Sequence, residues 1–112
     1  CLDCYIKESV RKTLKVTDSE EKETLKEQLL SKLIQQNYTC AYTGLRLIPG
    51  INMSLDHILP VSTNPEKLKE LSNLVWIDIQ CNMAKRNLLP SQFLALCEAV
   101  VLKKSSILTG VL

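Results

Sequence analysis

The chain's single histidine lies in Leu55-Asp56-His57-Ile58-Leu59-Pro60, and the thirty or so residues from there to Asn87 hold its most reactive side chains. Asp56 is a carboxylate directly before an imidazole. Asn73 follows within Ser72-Asn73-Leu74-Val75-Trp76, and Asn82 comes nine residues later, opening a stretch that contains Lys85 and Arg86. The set supplies one proton acceptor, two oxygen donors suited to a hard cation, and nearby positive charge. Phosphodiester hydrolysis needs an activated water, neutralised charge on the transition state and help for the departing oxygen, and one divalent ion can do the last two. Mg²⁺ or Mn²⁺ keeps several waters of its own, so a carboxylate from Asp56 and a side-chain carbonyl from Asn82 could hold it beside a substrate phosphate. His57 is then the candidate base, and Lys85 and Arg86 are candidate contacts to the DNA backbone.

These residues must be positioned by secondary structure. Met53 to Leu59 is an apolar run ending at Pro60 and reads as the first strand of a hairpin. Leu74 to Ile77, β-branched and aromatic, reads as the second, with a polar loop from Ser62 to Ser72 between them. A helix is expected to start near Gln80. Upstream, Ile6, Val10 and Leu14 predict a helix over Tyr5 to Lys15. Thr17 and Glu20 form a capping-box pattern before a second helix with Leu25, Leu29, Leu30, Leu33 and Ile34 on one face, ending near Asn37. Turn signals at Thr43-Gly44 and Pro49-Gly50 bracket Leu45 to Ile48, which reads as a short strand. Pro90-Ser91 opens a last helix carrying Phe93, Leu94, Cys97, Val100 and Val101, with Lys103 and Lys104 at its C-terminal end.

The expected fold is α+β: an N-terminal helical segment over 1–37, a strand-loop-strand-helix unit over 38–93, and a C-terminal helix and tail over 90–112. Asp56 and His57 are adjacent, and a regular strand sends adjacent side chains to opposite faces. Bringing both to one cleft calls for a twisted or bulged strand end.

Composition sets further bounds. The 112 residues make one domain with a modest core. No stretch has the roughly 20 apolar residues of a membrane span. The five cysteines, an odd number, argue against a fully paired disulfide framework and for a reducing, cytoplasmic setting. A net charge of +2 does not by itself announce nucleic-acid binding. From Ile79 onward, however, Lys85, Arg86, Lys103 and Lys104 face one acid, Glu98. The start at Cys1 and the apolar final residues suggest a piece of a larger protein.

The order and spacing of Asp56-His57, Asn73, Asn82 and Lys85 resemble the HNH, or ββα-metal, endonuclease family, over about Tyr38 to Phe93. The resemblance implies that Asp56 and Asn82 bind Mg²⁺ or Mn²⁺ and that His57 deprotonates the attacking water. It also implies that Asn73 tethers the loop and orients the histidine. DNA is the implied substrate, with targeting left to other domains or to a guide partner. Many members frame this unit with two Cys-x-x-Cys pairs around a structural zinc. Here Thr43 stands where the partner of Cys40 would be and Asp78 where that of Cys81 would be, so a four-sulfur zinc site is not expected. Cys40 and Cys81 are then expected to be buried apolar residues. Two other functions compete: a non-catalytic DNA-binding or interaction module of the same fold, and a redox role for Cys1-x-x-Cys4.

Overall fold

A computed structural model describes residues 1–110. Its helices are α1 (Leu2–Leu14), α2 (Ser19–Gln35), α3 (Ile79–Lys85), α4 (Pro90–Leu102) and α5 (Lys104–Thr109), and its strands are β1 (Met53–His57) and β2 (Leu74–Asp78). This is a mixed α+β architecture around one two-stranded antiparallel sheet. No described helix is long and apolar enough to cross a membrane.

The first helix forms as its periodicity predicts, burying Ile6, Val10 and Leu14. It begins at Leu2 because the Cys1 sulfur accepts a hydrogen bond from the Cys4 amide, capping the first turn. The contact uses the Cys4 backbone amide, and the Cys4 thiol itself is exposed. The second helix starts one residue later than the Thr17-Glu20 box implies, because the Asp18 carboxylate, not Thr17, accepts from the Glu21 amide. Leu25, Leu29 and Leu33 enter the core, whereas Ile34 is exposed.

The expected strand over Leu45–Ile48 does not form. The segment contributes one isolated bridge, Thr39 to Arg46, and Leu47 alone is buried. The free edge of β2 is covered instead by a side chain: the Gln36 amide accepts from the Trp76 amide and donates to the Trp76 carbonyl, in the manner of a neighbouring strand. On the other edge, the Tyr5 hydroxyl donates to the Met53 carbonyl.

The hairpin register pairs Met53 with Asp78, Ser54 with Ile77, Leu55 with Trp76, Asp56 with Val75 and His57 with Leu74, without a bulge. One face, carrying Leu55, Trp76 and Leu74, packs on α1 and α2, and the Trp76 indole donates to the Leu29 carbonyl. The opposite face, carrying Ser54, Asp56 and Ile77, receives α3. The loop joining the strands contains two short 3₁₀ turns, Pro65–Lys67 and Leu71–Asn73.

α4 departs from its sequence pattern. Phe93 is buried and meets the Tyr42 ring edge-on at 5.7 Å, but Leu94, Val100 and Val101 are exposed. Residues 111 and 112 of the expected tail lie outside the described residues.

Candidate active site at the end of the hairpin

The start of α3 fixes the geometry of the site. The Asp78 carboxylate accepts from the Gln80 amide and, with its other oxygen, from the Asn52 side chain, which itself accepts from the Ile48 amide. This N-cap sets the helix running alongside β1 in the same direction. Asn82 then stands over Ser54, its amide nitrogen donating to the serine hydroxyl at 2.7 Å. One turn later, Lys85 reaches the next residue on that face of the strand, Asp56.

The Asp56–Lys85 pair is the most enclosed ionic contact in the described residues. Lys85 is 1% exposed and Asp56 6%. The ammonium lies 3.3 Å from one Asp56 oxygen, 3.2 Å from the other, and 3.4 Å from the His57 carbonyl oxygen. The second carboxylate oxygen, Oδ2, is buried without a hydrogen bond of acceptable geometry. Burial pushes the Asp56 carboxyl above its ordinary range, and the facing Lys85 charge only partly opposes that rise. Lys85 is therefore not on the solvated helix face expected of a DNA-backbone contact. It lies three residues beyond Asn82, which on a helix places it on the same inward face. Arg86 is exposed, as expected.

His57 occupies the other face. The strand is regular to its last residue, so the bulge needed to swing His57 beside Asp56 is absent. Instead its Nε2 lies 2.8 Å from the Leu68 carbonyl. A carbonyl oxygen can only accept, so Nε2 carries the proton in the neutral ring and the Nδ1 lone pair is left available. The Asp56 carboxylate and the imidazole thus flank the end of β1 from opposite sides, both beside the loop that begins at Ile58.

Asn73 ties that loop together. Its carbonyl oxygen accepts from the Leu59 amide at 2.7 Å, and its nitrogen donates to the Leu59 carbonyl and, at 3.5 Å, to that of Lys67. Lys67 precedes Leu68, so the clamp holds the residue next to the one whose carbonyl His57 meets. Lys32 adds support from α2 by donating to the Leu71 and Leu74 carbonyls, and burial lowers its own pKa.

The residues present fit a hard cation in one respect that the structure itself supplies. Asp56 has a buried, unsatisfied oxygen, and the amide nitrogen of Asn82 is already used by Ser54, leaving its carbonyl end for a ligand. No described cluster of three His, Cys, Asp or Glu side chains could hold a metal. A divalent ion held by Asp56 and Asn82 would need its remaining ligands from outside the protein.

The positions of the incomplete cysteine pairs do converge. The Cys40 sulfur accepts from the Thr43 amide at 3.4 Å and from the Asp78 amide at 3.3 Å, and Cys81 neighbours it. Cys40 is buried as expected, while Cys81 is only half-buried, with its thiol pushed up to about 11, chiefly by desolvation.

Three contributors carried little advance signal. Ser54 shares a face with Asp56 by strand alternation, and that could have marked it as a partner. The Leu68 carbonyl is a backbone group and has no sequence signature. The Asn52–Asp78 link depends on pairing across the hairpin. Comparisons with protein families, curated proteins and solved structures found no match to this chain.

Proposed function

We propose that this chain is a metal-dependent endonuclease domain of the HNH type, hydrolysing DNA phosphodiester bonds by water attack. The observation that carries the proposal is the His57 arrangement. A carbonyl at 2.8 Å holds Nε2 protonated and leaves Nδ1 as a base, and the loop supplying that carbonyl is clamped by Asn73. A histidine that served packing alone would have no need of this fixed tautomer.

β1, β2 and α3 form the ββα unit in this reading. Asp56 and Asn82 hold Mg²⁺ or Mn²⁺, which when bound supplies charge neutralisation at the phosphate. His57 Nδ1 takes the proton of the attacking water, with the substrate lying across the end of the hairpin where both faces are reached. Asn73 is a positioning residue. Arg86, exposed at the end of α3, contacts the phosphate backbone. The odd number of cysteines, five, favours a reducing, cytoplasmic compartment. Target choice is assigned to other domains or a guide partner, because the site holds no evident base-reading cluster.

Plasmid nicking tests the reading. Supercoiled DNA should become open-circular with Mg²⁺ or Mn²⁺ and stay intact with EDTA, and Asp56→Ala and Asn82→Ala should each weaken Mn²⁺ binding by calorimetry. Unchanged affinity in both variants would remove the proposed metal site. Binding of DNA without cleavage under any divalent ion would favour the non-catalytic DNA-binding module.

A further inference from the structure

We propose that the Lys85 ammonium is the resident counter-ion of Asp56, occupying the place of the divalent cation and leaving the carboxylate when that cation binds. The inference rests on the metal-site reading above and adds a regulatory element to it.

The geometry supports an exchange. Three oxygens, two from Asp56 and one from the His57 backbone, surround the Lys85 nitrogen at 3.2 to 3.4 Å. Those are hard oxygen donors of the kind Mg²⁺ prefers. The distances are long for a charge-assisted bond, which ordinarily measures about 2.7–2.9 Å. One carboxylate oxygen has no properly directed hydrogen bond at all. The ammonium therefore neutralises the site without saturating it. A buried carboxylate with no counter-ion is strongly disfavoured, and in the metal-free protein the Lys85 ammonium fills that role. Both Asp56 oxygens face the Lys85 ammonium and Oδ2 is closed to solvent, so a divalent ion reaches the carboxylate only when Lys85 moves.

Lys85 also shares a helix face with Asn82, three residues before it. The displaced cation and a ligand of the incoming one thus lie on one short helix. The freed side chain has a long flexible stem and is then available to a phosphate bound on the same face.

Amine acylation of the intact protein followed by peptide mass spectrometry reads the exchange directly. Without divalent ion, Lys85 should be among the least modified lysines. At saturating Mn²⁺ its modification should rise at least several-fold and return to baseline with EDTA. Lys26, also buried but remote from the site, serves as the internal control and should not change. As a second readout, Lys85→Met should bind Mn²⁺ several-fold more tightly by calorimetry. If the protein binds Mn²⁺ but Lys85 modification stays flat, the exchange is refuted while the metal site stands. If it binds no Mn²⁺ at all, the metal-site reading falls and the exchange with it.

Discussion

Two lysines are almost fully buried in this molecule, and their surroundings are opposites. Lys26 lies between α1 and α2 with three carboxylates, Asp3, Glu23 and Glu27, at 2.7 to 3.3 Å, each about half exposed to water. Lys85 has one carboxylate, which is itself buried. Hydrogen bonds that the Lys26 ammonium donates to Glu27 and Glu23 raise its pKa well above the usual lysine value, while burial raises Asp56 despite its lysine. The first arrangement stabilises a helix pair with charges that remain solvated. The second keeps an under-satisfied charge pair enclosed by protein, the kind of arrangement that marks a candidate functional position.

The largest expected difference is in stability. Lys85→Met should cost about 3–5 kcal/mol, because it strands the Asp56 carboxylate. Asp56→Asn combined with Lys85→Met should recover most of that loss. Lys26→Met should change the denaturation midpoint much less, since its carboxylates return to water. Equal losses at the two lysines would erase the distinction.

Asn73→Ala should come next. It removes the acceptor for the half-buried Leu59 amide and costs about 1–3 kcal/mol. It should also lower the nicking rate constant without altering Mn²⁺ affinity, since it acts through the loop and His57. A variant equally destabilised elsewhere, such as Leu33→Ala, should leave that rate constant alone under conditions where both remain folded.

The pH dependences should run in opposite directions. The folded-state pKa of Asp56 is raised, so its contribution to stability is complete below the unfolded value and is lost as pH rises through the folded value. The stability of Asp56→Asn relative to the parent should therefore increase with pH from about 4 upward. The folded-state pKa of Glu23 is lowered, by its bonds to Lys26 and Lys7. Its contribution is present above the unfolded value and lost as pH falls, so Glu23→Gln should compare best with the parent in acid. Denaturant titrations across pH 3 to 7 check both slopes. The smallest effect belongs to Arg86→Ala, which should weaken DNA binding on all sequences alike and flatten its salt dependence slightly.

The contrast also marks how far the sequence could be read. Ile6, Val10 and Leu14, the two hairpin strands and the start of α3 near Gln80 were legible because periodicity and turn residues are local signals. Asn73 as a loop clamp followed from the family resemblance. Lys85 did not read as buried, because a Lys-Arg pair on a helix ordinarily faces water, and only the pairing of α3 with β1 shows which oxygens await it. The apolar face of α4 predicted a core contact, yet of that face only Phe93 is buried, and Leu94, Val100 and Val101 are exposed. The Leu45–Ile48 strand failed for a related reason: a strand needs a partner, and the β2 edge was already taken by Gln36.

His57→Ala offers the most direct test of the central claim. In Mg²⁺-dependent nicking of supercoiled DNA, the substitution should lower the rate at least about 10²-fold, the low end of general-base contributions. Mn²⁺ affinity and the unfolding midpoint should stay close to those of the parent, because the ring ligates no metal and is only half-buried. Nicking by His57→Ala at the parent's rate and neutral pH would contradict the account and remove the histidine from the chemistry.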